Sequence, residues 1–409
     1  MIPKSVTISH FALAAASIAV AAPSTAVAQN APVHAIRVTG GLEASTNPFL
    51  LEQGEESVAA YITVDPTIFL EEGRNTTVID GNLRATQFLN EYGTDASGRL
   101  QISTRRAISE RTELDMSAAI ESTRRSFIDG LTGGNNSLAT DPTALPDPAV
   151  LDPTLIGALV RSTTISATGS IEHQISPVSS VTASAAYSRS SFSDDLGFDV
   201  SSSSASLAFG HRVAPQTVIS FGGQFTSLDF ADPQLSDARI YTLQARLEQE
   251  IGTRWRLALG GGVDLVDSNL GMAGRDTSSL ISGDIGICNT GLRSRFCLTG
   301  RRAAQPTAIG GVATVTSLGV DYQLELSRKD TLSFNSQIGR SNQTLDNGFV
   351  TAGTVVDVIG AFANYRHELS DRTAFIVAVG YSDVSDDLLD VPSNAFVRVG
   401  ITLGFGRQR

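Results

Sequence analysis

Four histidines follow residue 28: His34, His173, His211 and His367. A serine hydrolase would need one of them beside a hydroxyl nucleophile and an acid partner. Each instead falls at the edge of an alternating polar–apolar segment, where a polar residue closing a strand is the simpler account. Acidic pairs stand at Asp194-Asp195 and Asp386-Asp387, with Asp390 close by. Such pairs do acid–base work or hold calcium in some proteins, but here they sit in turn-rich stretches and read as solvated loop charges. Gly260-Gly261-Gly262 lies inside an alternating segment, so it reads as a strand with room for its neighbours, not as a phosphate cradle. The two cysteines, Cys288 and Cys297, have one nearby acid, Asp284, and no histidine. A disulfide in an oxidising compartment fits them better than a metal site. No catalytic centre, metal or cofactor is expected.

The N-terminus supplies that compartment. Lys4 precedes the apolar run Phe11–Ala22, Pro23 breaks it, and Ala26-Val27-Ala28 offers small residues for cleavage. This is the pattern of a secretory signal peptide over residues 1–28. The remaining chain, 29–409, carries 29 basic and 42 acidic residues, a formal charge of −13. That balance argues against a nucleic-acid partner. No stretch of it is apolar for long enough to make a transmembrane helix.

What it has is a period of two. From Ala395 to Phe405 the odd positions are apolar and the even ones include Arg398, Gly400, Thr402 and Gly404. Trp255–Leu265, Tyr241–Glu248 and Val312–Leu326 alternate in the same way. In a strand such alternation gives one apolar and one polar face. The segments run for ten to fifteen residues, whereas strands of soluble sheets run for about five or six and a tilted membrane strand needs about nine to eleven. Short connections, as at Glu72-Gly73-Arg74 and Gly252-Thr253, alternate with longer ones. Outer-membrane barrels share this rhythm of tight periplasmic turns and long outer loops.

The pattern predicts an all-β chain: a transmembrane, antiparallel, up-and-down β-barrel of about 16 strands, with long outer loops at 127–159 and 268–308. Both ends then fall on the periplasmic side, and the Cys288–Cys297 pair lies in an outer loop. Phe209, Trp255, Tyr365, Phe375 and Phe405 are placed on a periplasmic aromatic belt, and Tyr187, Phe225 and Tyr381 on an outer one. The opposite face supplies candidate pore-lining residues: Arg84, Arg99, Arg105, Asp115, Arg246, Glu248, Arg256, Asp264, Asp321, Glu325 and Arg398. Both signs occur, so no ion selectivity follows. A barrel this wide leaves an aqueous channel. The expected partners are outer-membrane lipid, lipopolysaccharide and the barrel assembly machinery, and the expected location is the bacterial outer membrane.

Three pieces of the first third carry a family likeness: Gly41-Leu42-Glu43-Ala44-Ser45-Thr46-Asn47-Pro48-Phe49, Thr63-Val64-Asp65-Pro66-Thr67-Ile68 with Arg74 after it, and Ala85 to Tyr92. In these the chain resembles the β-barrel porin 2 family of outer-membrane barrels, some encoded beside exopolysaccharide genes. The resemblance implies an outer-membrane barrel linked to polysaccharide export, with polysaccharide export components as partners, and the leading expectation for the barrel is passage of small hydrophilic solutes or of a polysaccharide. A closed barrel serving assembly or exopolysaccharide export, and a lipid-modifying barrel enzyme, are the alternatives.

Overall fold

The computed structural model describes residues 33–90, 92–124, 160–193, 199–231, 237–269, 275–306, 312–343, 355–386 and 391–406. The signal-peptide assignment, the whole 127–159 loop, and Asp194, Asp195, Asp387 and Asp390 lie outside them. The described residues form eighteen strands: β1 (Val33–Ser45), β2 (Ser57–Glu72), β3 (Asn75–Phe88), β4 (Thr94–Ala107), β5 (Thr112–Thr123), β6 (Ser162–Ser176), β7 (Ser179–Phe192), β8 (Val200–Ala214), β9 (Thr217–Phe230), β10 (Ala238–Ile251), β11 (Trp255–Asn269), β12 (Arg275–Thr290), β13 (Ser294–Pro306), β14 (Val312–Glu325), β15 (Asp330–Gln343), β16 (Val355–Ser370), β17 (Thr373–Asp386) and β18 (Asn394–Gly406). Each pairs antiparallel with its neighbours in sequence, and β1 pairs with β18 from Ala35↔Gly406 to Ser45↔Phe396. The sheet closes on itself and has no free edge.

The period of two decides which face is inside. Along β18, Asn394, Phe396, Arg398, Gly400 and Thr402 are buried, while Val397, Val399, Ile401, Leu403 and Phe405 are 41–52% exposed. The exposed set is the outer face. Carried from strand to strand by the register, that face also presents Ile36, Leu100, Ile165, Leu207, Leu243 and Ile338. A continuous apolar exterior is stable only against apolar surroundings, and every ladder being closed leaves no strand edge to solvate. Strands of 12–16 residues are long enough for a tilted crossing of a bilayer core.

The count corrects the expected 16 strands. Sixteen of the eighteen match the segments read from the sequence. The other two, β12 and β13, occupy the stretch taken for an outer loop at 268–308. The alternation of β12 is clear only in its second half, where Ile281, Ile285 and Ile287 face out. Its first half, Arg275–Ser279, is polar at every position. In β13, Arg301 and Arg302 are adjacent and so occupy both faces. Eighteen is even, so the start of β1 at Val33 and the end of β18 at Gly406 both fall at the rim of the short turns. At that rim Gly73 and Gly252 take left-handed φ angles of 61° and 64°, which their missing Cβ allows.

One interruption falls within a strand. The β2–β3 ladder runs to Val64↔Leu83 and resumes at Thr67↔Asp80. Pro66 has no N–H to donate there, and Gly81 opposite leaves space for its ring. Asn82 donates to the Asp65 carboxylate at 2.6 Å across the gap.

Candidate functional site

The inner wall is uneven, and its charged residues show why. All eleven candidates lie on the inner face by register and alternation. Arg84 on β3 and Arg398 on β18 both bind Glu43 on β1: Arg84 Nη2 is 2.5 Å from Glu43 Oε2, and Arg398 Nη2 and Nε are 2.7 and 2.9 Å from the same oxygen. All three are buried. Tyr61 of β2 lies among them, with the two guanidinium carbons 4.9 and 5.2 Å from its ring centroid. The ring fits because the wall beneath it is glycine. A Cβ on Gly41 or Gly400 would come within 2.8 or 2.6 Å of the Tyr61 hydroxyl. Two cations on one carboxylate, each also over a π face, form a wall-building cluster and offer little to a passing solute.

Other candidates are held in pairs. Arg105 Nε lies 2.9 Å from both Glu113 and Asp115. Arg246 binds Glu248 at 3.1 Å and Asp284 at 2.8 Å, and Arg256 binds Glu248 at 3.1 Å. Asp264 accepts from the Ser282 hydroxyl and the Ala304 amide, and Asp321 from Asn335. Arg99 donates to Gln101 at 2.7 Å. Glu325 is exposed at the short-turn rim.

Cys288 and Cys297 face each other on β12 and β13 and are bonded, with Cα atoms 4.1 Å apart. The bridge is on the inner face near the tight 291–293 turn. This corrects its expected place in an outer loop, and the cause is again the two strands hidden in 268–308.

A feature absent from the sequence reading is the β1–β2 connection, residues 46–56, which folds into the outer mouth. Phe49 packs on Phe88 and Ala59 of β3 and β2, and Leu50 packs on Val358 and Val384 of β16 and β17. Asn47 pins it. Its side-chain amide donates to Leu51 O and Pro392 O, both at 2.9 Å, and its carbonyl oxygen accepts from Leu51 N. Gly54 passes so close that a Cβ would lie 2.0 Å from Asn47 Oδ1. This connection includes the Asn47-Pro48-Phe49 end of the first family-like piece, and Glu43 is in the same piece. The signal that could have found Glu43 is its parity: it is an acid on the face that also carries Thr39 and Gly41.

The wall at β6–β8 differs in kind. Inner positions from Ser162 to Ser170 on β6 are all Ser or Thr. Those from Ser180 to Ser190 on β7 are Ser, Thr or Ala, and those from Val200 to Gly210 on β8 are Val, Ser, Ala or Gly. Their hydroxyls bond across strands: Thr164 to Ser190 at 2.9 Å and Ser184 to Ser206 at 2.6 Å, with Thr168 reaching Ser117 of β5 at 2.7 Å. Ser170, Ser184, Ser188, Ser204 and Ser206 are half-buried, where the inner positions of β18 are closed off.

The histidines stand on the outer face at the short-turn rim. His173 bonds Thr112 at 3.0 Å and His211 bonds Ser179 at 2.9 Å. His367 Nδ1 lies 2.7 Å from Asp330, which also accepts from Tyr365 at 2.6 Å and from Ser327. Ser327 donates to the carboxylate and does not sit on the imidazole, so the order acid–imidazole–nucleophile is not formed there.

No protein-family model and no curated protein sequence matches the chain. Among solved structures it is similar to OccK2 (OpdF) of Pseudomonas aeruginosa in complex with glucuronate, at 11% identity and a TM-score of 0.45, over 92% of this chain and 98% of that one. OpdK of the same organism with vanillate gives 11% and 0.46, over 91% and 99%. OccAB3 of Acinetobacter baumannii gives 12% and 0.43, over 92% and 99%.

Proposed function

We propose that the protein is a channel of the bacterial outer membrane that passes small hydrophilic solutes. One observation carries this reading: an eighteen-stranded closed sheet with an apolar outside and a polar, partly water-exposed inside. Barrels of sixteen to eighteen strands are wide enough for water to cross. Outer-membrane lipid and lipopolysaccharide then surround it, the assembly machinery inserts it, and residues 1–28 direct its export. The resemblance to the β-barrel porin 2 family supports the same membrane and adds polysaccharide, with its export components, as a further cargo. The test is single-channel recording on the refolded protein in planar bilayers. Stepwise, ohmic current steps are expected.

A second reading has its own observation. The 46–56 connection fills the outer mouth beside β16–β3, which favours a closed barrel serving assembly or exopolysaccharide export. Bilayers that hold folded protein and show no current steps would select that reading.

A further inference from the structure

We infer that the hydroxyl wall of β6–β8 is the track for neutral, polyhydroxylated solutes such as oligosaccharides. The inference rests on the channel reading and names its solute class. Three observations place the track. On the side of β16–β3, the inner face is taken up by the 46–56 connection, by Tyr61 and by the buried Glu43 cluster. The inward arginines of the strands flanking β6–β8 are held by carboxylates, Arg105 by Glu113 and Asp115 and Arg246 by Glu248 and Asp284, and the inward charges of β6–β8 themselves, Glu172 and Arg212, stand at the short-turn rim, beyond the hydroxyl stretch. Between the flanking arginines the inner surface is uncharged from Ser162 to Ser170 and across the facing stretches of β7 and β8.

The chemistry follows from the group. A hydroxyl is a donor and an acceptor at once and rotates to suit either role. The wall hydroxyls already bond one another at 2.6–2.9 Å, so a solute hydroxyl can replace one partner while the count of hydrogen bonds stays level. A sugar presents the same group at regular spacing and sheds only neutral hydration. A carboxylate or ammonium solute must give up charged hydration, and beyond Glu172 and Arg212 at the short-turn rim the hydroxyl stretch returns no countercharge. The antiparallel ladder repeats the hydroxyls at every second residue along each strand, so a solute meets equivalent partners as it advances.

The experiment uses the refolded full chain in planar bilayers, with a neutral hexasaccharide of glucose and a hexasaccharide of galacturonate as probes. The neutral probe is expected to interrupt the current at concentrations where the acidic one does not. The triple variant S184A/S204A/S206A is expected to bind the neutral probe at least about tenfold more weakly. Heat-modifiable gel mobility reports whether it folds. Should it not, S188D takes its place, and the single carboxylate is expected to shift the reversal potential toward cation selectivity. Current steps with equal block by both probes would overturn the inference, as would unchanged block in the triple variant or an unmoved reversal potential in S188D. Each of these leaves the channel reading standing. Folded protein without any current removes the channel reading and this inference with it.

Discussion

Arg398, in the last strand, places its Nη2 2.7 Å from Oε2 of Glu43 in the first. The contact sits at the seam where the sheet closes, and Arg84 shares the same oxygen from the other side. Removing the carboxylate leaves two buried guanidinium groups facing each other. Glu43→Gln should therefore destabilise the barrel by about 3–5 kcal/mol, the usual result of breaking a buried pair from one side. Equilibrium unfolding in urea from lipid vesicles would measure it. An unchanged midpoint would show that the cluster holds nothing together.

Gly400 is where the Tyr61 hydroxyl rests. Gly400→Ala puts a methyl 2.6 Å from that oxygen and 2.9 Å from the Gly40 carbonyl. A loss of about 1–3 kcal/mol is expected from the overpacking. Tyr61→Ala should recover part of it in the double variant, since the ring is one of the two obstacles. A double-mutant cycle on unfolding midpoints reads the coupling, and strict additivity would refute the contact.

The two faces of β8 can be compared at adjacent positions. Leu207 is outward and 61% exposed, and Ser206 beside it is inward. Leu207→Arg should cost about 2–4 kcal/mol near mid-membrane, while Ser206→Arg should assemble and alter ion selectivity. Thr402 is a poorer inward control, since it is buried and bonds Thr39 at 2.9 Å. Assembly of the Leu207 variant with failure of the Ser206 variant would reverse the assignment of the faces.

Asn47 fixes the inward connection with three hydrogen bonds to Leu51 and Pro392. Asn47→Ala should free residues 46–56 from the mouth and raise single-channel conductance or add brief closures. Conductance and noise identical to wild type would mean that the connection does not narrow the path.

Cys288 and Cys297 should yield no free thiol by mass analysis without reductant. The bridge spans a sequence separation of 9, within a hairpin already paired in register. Its reduction should lower stability by no more than about 3 kcal/mol, since the loop it closes is short. Two free thiols in exported protein would refute the bridge.

Most of the architecture was legible because the outer face imposes its own alternation. Trp255–Leu265 and Ala395–Phe405 show it without a break, and the parity that put Leu403 out and Arg398 in is the parity of the structure. β12 and β13 escaped because the outer half of β12 is polar on both faces and that of β13 sets like residues side by side, Arg301 with Arg302 and Ala303 with Ala304, so the period of two loses contrast there. The Glu43–Arg84–Arg398 cluster escaped for another reason. Parity puts three charges on one face, but their meeting depends on the stagger with which β1, β3 and β18 come together, and no local pattern encodes that. The inward course of 46–56 is likewise set from far away, by a carbonyl at Pro392.

The seam cluster has a consequence for biogenesis. Glu43 leaves the ribosome 355 residues ahead of Arg398, so its second cation arrives only when the chain has been made through β18. Until β18 docks, the first strand holds a carboxylate with one of its two guanidinium partners missing, and Tyr61 has no Gly400 to lie on. The bond that completes the cluster is also the bond that completes the ring. Barrel closure in this protein is thus tied to delivery of the final strand, and a chain cut short of Arg398 carries its defect at the joint where it would have to close.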